Sequence, residues 1–173
     1  MKLILTTIVL ILSACAATQP VERTFPLGEV SADLRIDPTS LLLYHRCFHA
    51  IGPKGTSSAH YHEAACLRNN ERFIFAQRQR PANRYVETSS LPLADLKAVR
   101  LGKNGAARQI QLETTAGVHM VILLLDDGLP RINSAANEGE YAFLARRGLP
   151  AAETSAYISN SNRGPVFVPL IVK

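Results

Sequence analysis

Apolar and polar residues alternate along most of this chain at the spacing of strands, with one helical stretch towards the end. Residues 41–50 (Leu-Leu-Leu-Tyr-His-Arg-Cys-Phe-His-Ala) predict a strand. Period two then places His45, Cys47 and His49 on one face and Tyr44, Arg46 and Phe48 on the other. Gly52-Pro53-Lys54-Gly55 signals a loop. Residues 60–67 fit a short helix or a strand equally well, 72–79 read as a strand, and another begins at 85–89. Leu91, Leu93, Leu96, Val99 and Leu101 supply the apolar positions of a further element, with a turn at Gly102-Lys103-Asn104-Gly105. Strict alternation over 109–113 predicts a half-exposed strand. After a turn at 114–117, the nearly continuous apolar run 118–125 suits a sheet centre buried on both faces. Asp126-Asp127-Gly128 closes it as a tight turn. Residues 134–147 read as a helix capped by Ser134, with Tyr141, Leu144 and Ala145 on one face. Arg146 and Arg147 complement its C-terminal end, and Gly148 and Pro150 stop it. The run 166–172 is strand-like, but Pro169 confines it to an edge or a bulge.

These elements predict an α+β, mostly β domain: an antiparallel sheet with at least one packed helix near the C-terminus. Strands followed by a late helix resemble the pleckstrin-homology architecture as a pattern. The extra C-terminal strand and a cysteine-bounded loop depart from it, and no function follows from the pattern alone.

The first residues form a different unit. Lys2 precedes ten apolar or neutral residues, 3–12, and small residues follow. That is the layout of an export signal, and the run is too short to span a bilayer, which takes about 20 residues. Leu12-Ser13-Ala14-Cys15 resembles the lipobox of bacterial lipoproteins. The resemblance implies that residues 1–14 are a removed signal peptide and that Cys15 becomes an acylated N-terminus carrying chains such as palmitate. Ala16 stands where inner-membrane retention typically uses Asp, which implies the outer membrane, facing the periplasm. Ala14-Cys15-Ala16 also fits an ordinary signal-peptidase cut, which would release the protein instead. Residues 15–24 then serve as lipidated cysteine and tether, and residues 25–173 as a single globular β-rich domain. A chain starting at Cys15 has 159 residues, enough for a substantial core.

The formal charge is +5, of which Lys2 contributes one. Basic residues gather at Arg72, Arg78, Arg80 and Arg84, and again at Lys97, Arg100, Lys103 and Arg108. Such a balance suits anionic partners in an envelope, or simply a solvated surface. Nucleic acid is excluded as a partner by the expected compartment and by the lack of a recognition-helix pattern or stacking aromatics.

If Cys15 carries lipid, Cys47 and Cys66 remain, and an even pair in an oxidising compartment reads as one disulfide. A loop of that length is worth roughly 3 kcal/mol on the chain-entropy account. Around it stand His45, His49, His60 and His62, with Glu63 beside them. Neutral imidazoles bind zinc or copper, so these four are candidate metal ligands, although their spacing matches no complete motif. The alternative is partly exposed histidines on a stapled loop. No nucleophile elbow, Ser-x-x-Lys or phosphate-binding loop is present, so no catalytic residue is assigned. The expectation is a non-enzymatic, membrane-anchored module binding an envelope protein or anionic polymer, of which an inhibitor or immunity protein is one form. The alternative is a zinc- or copper-binding protein using the histidines.

Overall fold

Short apolar runs separated by Gly, Pro and Asn fold into strands that share one large sheet. The computed structural model describes residues 25–127 and 129–161. The lipobox, the tether, the expected strand 166–172 and Gly128 of the expected turn lie outside them.

An eight-residue helix α1 (Leu27–Leu34) opens the described chain and ends at Arg35 in the left-handed conformation. A short 3-10 turn, Pro38–Ser40, is capped by Asp37, whose carboxylate accepts from the Thr39 hydroxyl (2.8 Å) and N–H (2.9 Å); these bonds hold its carboxyl below the usual range. The strands follow as β1 (Leu43–Gly52), β2 (Ser58–Ala59), β3 (His62–Arg68), β4 (Arg72–Gln79), β5 (Arg84–Pro92), β6 (Ala98–Asn104), β7 (Ala107–Glu113) and β8 (Val118–Leu123). Helix α2 (Ser134–Arg146) precedes β9 (Ala151–Thr154) and β10 (Ser159–Asn160). The large sheet has the order β5-β4-β3-β1-β8-β7-β6-β9. It is antiparallel throughout except for β9, which runs parallel to β6; β10 and β2 form a small parallel pair. The fold is thus mostly β with two helices, one near the C-terminus, and the sheet is mixed rather than purely antiparallel.

The expected alternation of β1 holds. Cys47 lies under the face covered by α2, in a core with Cys66, Phe73, Phe75, Ile110, Leu112, Val121, Leu123 and Leu144. On the other face α1 covers Leu41, Ala65, Leu67, Ile74 and Ala76. The β2–β10 pair covers Met120, Ile122 and Leu124. β8 is central and apolar on both faces, as its sequence predicts.

Three expectations need correction. Gly102-Lys103-Asn104 does not turn: β6 runs through it, and the turn falls at Gly105-Ala106. Gly102 instead marks a close approach, since an added Cβ would lie 2.7 Å from Gln111 Nε2 and 2.9 Å from the Ala156 carbonyl oxygen. β7 is not half-exposed. Gln109 and Gln111 are buried because their amides hold the segment before β10: Gln109 Nε2 donates to Tyr61 Oη (2.6 Å) and to the Ile158 carbonyl (3.0 Å), and Gln111 Nε2 donates to the Ala156 carbonyl (2.7 Å). Burial raises the phenols of Tyr61 and Tyr157 beyond the ordinary range, Tyr157 to about 12. Finally, Asn133 and not Ser134 caps α2, accepting from the Ala136 N–H at 3.0 Å; the Ser134 hydroxyl donates to the Ala106 carbonyl.

The buried face of α2 is polar at two positions. Asn137 accepts from the Leu123 N–H (3.0 Å) and donates to the Leu123 carbonyl (3.1 Å), satisfying the end of β8. Glu140 receives Arg68 in a two-pronged pair at 2.5 and 3.0 Å, with both side chains only 3% exposed. The Arg68 guanidinium also lies 3.9 Å from the centre of the Phe143 ring. No helix among the described residues is long and apolar enough to cross a membrane.

Candidate functional site

The sheet opens where two of its strands part. β3 pairs with β4 from Arg68↔Phe73 as far as Ala65↔Ala76, where the pairing of the two strands ends. Yet β3 continues along β1 to His49↔His62, and β4 continues along β5 to Gln79↔Arg84. At the parting point β5 holds one extra residue: Phe75 pairs with Ser89 and Ala76 with Glu87, leaving Thr88 between, its hydroxyl donating to the Phe75 carbonyl at 3.1 Å. A bulge bends its strand and sharpens the local twist. Here it turns the β4–β5 hairpin away from β3, and a groove of about 770 Å³ fills the gap.

Phe25 and Pro26, Glu29 of α1, Arg46 of β1, His62 and Glu63 of β3, Gln77 and Arg78 of β4, and Arg80 and Tyr85 line it. Two ion pairs stand in it. Arg46 Nε and Nη2 donate to Glu63 Oε1 at 3.0 and 2.5 Å, and Arg78 Nη2 donates to Glu29 Oε2 at 3.3 Å. Arg46 Nη1 is buried with no hydrogen-bond partner among the described residues, and Arg80 makes no ion pair among them. The Tyr85 phenol is raised by burial, and Arg78, Glu29, Glu63 and Arg46 are all close enough to act on it.

The expected site residues divide. Cys47 and Cys66 form the disulfide, their Cα atoms 5.8 Å apart on a diagonal between β1 and β3, both fully buried. The four histidines do not converge. His45 and His49 share a face of β1 but are separated by Cys47, about 13 Å apart along a strand. His60 and His62 meet edge to face with ring centres 4.5 Å apart. His62 stands opposite His49 across β3 and β1. Among the described residues no group of three or more His, Cys, Asp or Glu side chains is arranged to hold a metal ion.

What sequence reading misses is His119 of β8. It is set against His49, with His49 Nε2 3.2 Å from His119 Nδ1, while the His49 ring stacks on Phe75 at 3.7 Å. Burial first, then the nearby His119 and His62, drives the His49 imidazole down to about 3, and burial lowers His119. Both are therefore neutral near pH 7, and one ring donates to the other. His119 sits in an apolar run far along the chain, so only the β1–β8 pairing reveals it.

The basic clusters are largely paired. Arg72 meets Glu87, Arg100 meets Glu113, Lys103 meets Glu153 and Arg108 meets Glu138, leaving the groove as the place where Arg side chains gather around a concavity.

No protein-family model matches this sequence, and no curated protein matches it. Among solved structures, the hSac2 domain from human phosphoinositide phosphatase Sac2 is similar at 11% identity and a TM-score of 0.41, over 71% of this chain and 82% of that one. A likeness this weak shows neither a shared fold nor a shared activity.

Proposed function

We propose that this protein is an envelope lipoprotein, held in the outer membrane through Cys15 and facing the periplasm, whose β-rich domain is a non-enzymatic binding module for an envelope protein or polymer. The observation that carries the reading is the open groove between β3 and the β4–β5 hairpin, concave and lined by Arg46, Arg78 and Arg80 with aromatic rims. The membrane part of the reading rests on the Leu12-Ser13-Ala14-Cys15 motif. Its geometry is consistent with the groove. Phe25 and Pro26 line the groove, and ten residue steps separate Cys15 from Phe25, so the chain's reach keeps it within about 35 Å of the lipid. A partner would therefore meet the domain at the membrane surface.

Site-directed photocrosslinking tests this. A benzophenone side chain at Gln77, in the groove, is expected to give a discrete adduct in the membrane fraction of producing cells. The same group at exposed Asn104, several strands away, is expected to give none. No adduct from position 77, or the same adducts from both positions, would contradict the reading.

A further inference from the structure

Both long walls of the groove are strand main chain. His62–Ala64 of β3 are paired to β1 on one side, and Gln77–Gln79 of β4 are paired to β5 on one side. Neither stretch is paired to the other, because the β3–β4 register ends at Ala65↔Ala76. Residues in an antiparallel strand direct their N–H and C=O groups alternately to the two sides. Each wall therefore turns a backbone edge into the groove, which is how a sheet accepts an added strand.

The charges indicate what kind of strand. Arg46, Arg78 and Arg80 outnumber Glu29 and Glu63, and those two carboxylates are already engaged by Arg46 and Arg78. Arg80 and the Nη1 group of Arg46 are left without acceptors among the described residues. An incoming strand shows alternate side chains to the same face, so acidic residues at alternate positions would meet these guanidinium groups.

We infer that the groove accepts an extended, acidic segment of a partner protein, which adds as a strand between His62–Ala64 and Gln77–Gln79. The inference rests on the binding reading above and narrows it from protein or polymer to peptide main chain.

The test uses the full chain and three probes: a blocked, fluorescent nonapeptide alternating glutamate with valine, the same peptide N-methylated at alternate amides, and soluble alginate as an anionic polymer. Fluorescence anisotropy is expected to show saturable binding of the first peptide. N-methylation on the edge-facing register removes main-chain donors and is expected to weaken binding by about tenfold or more. Arg80→Glu, at an exposed position, is expected to weaken it by about tenfold as well. Equal affinity for the N-methylated peptide would overturn strand addition and reduce the site to simple anion binding. Alginate binding lost in Arg80→Glu, without peptide binding, would overturn this inference while leaving the groove a polymer site. Binding of neither probe would overturn the inference, and the crosslinking result at Gln77 decides the broader reading separately.

Discussion

His49 shows how position on a sheet sets the chemistry of one side chain. It is 7% exposed and stands beside His119 and His62, and burial first, then those two rings, penalises a charged imidazole. An unfolded imidazole titrates near 6.5, whereas His49 in the fold titrates at about 3. As pH falls, the unfolded chain takes up the proton first. The stability contribution is therefore complete above about pH 6.5 and drains away as pH falls towards 3. Between about pH 6.5 and 4 the loss should reach about 3 kcal/mol, and His49→Gln should flatten that limb. Urea unfolding at stepped pH measures both; parallel slopes would contradict the assignment. Arg68 and Glu140 give a second residue-scale prediction. Glu140→Ala strands a buried guanidinium and should cost about 3–5 kcal/mol, whereas Arg68→Met with Glu140→Leu should recover most of it. Thermal unfolding of the three proteins decides this. The disulfide was legible from the sequence because cysteine count and expected compartment constrain it. The His49–His119 contact was not, because the strand pairing that makes it spans seventy residues.

At the scale of elements, one inserted residue organises the site. Thr88 stands opposite no residue of β4 in the strand register, and the pairing of β3 with β4 stops at the same level of the sheet. Deleting Thr88 should restore a regular β4–β5 register and let β3 and β4 pair beyond Ala65↔Ala76. Amide exchange at Glu63, whose N–H faces β4, followed by NMR, should then slow by about tenfold or more; unchanged exchange would separate the bulge from the groove. A bulge leaves little trace in sequence, since Thr88 fits a strand as well as its neighbours do. α2 was legible through Gly148 and Pro150, yet its buried face was not. Asn137 and Glu140 point inward to serve the β8 backbone and Arg68, which defeats a reading based on apolar spacing. β7 fails for the same reason, because its glutamines are consumed inside. α1 escapes notice because it is only eight residues long and contains Gly28.

For the whole molecule, the sequence predicts the class and the central strand, and long-range pairing supplies the rest. Hairpins joined by short turns, such as β7–β8, follow from local pattern. The placement of β1 between β3 and β8, and of β9 parallel to β6, depends on contacts between distant segments. The resulting domain is a split sheet stapled beside the opening by Cys47–Cys66, with the groove close to the first described residues. That placement has functional meaning only if the chain is held at its front end. The most direct test is intact-mass spectrometry of the protein extracted from the membranes of cells that make it. The account predicts a chain beginning at Cys15, heavier by its acyl chains, and a Cys15→Ser form that is neither acylated nor retained in membranes. An unacylated N-terminus on the unaltered protein, at Cys15 or elsewhere, would contradict it.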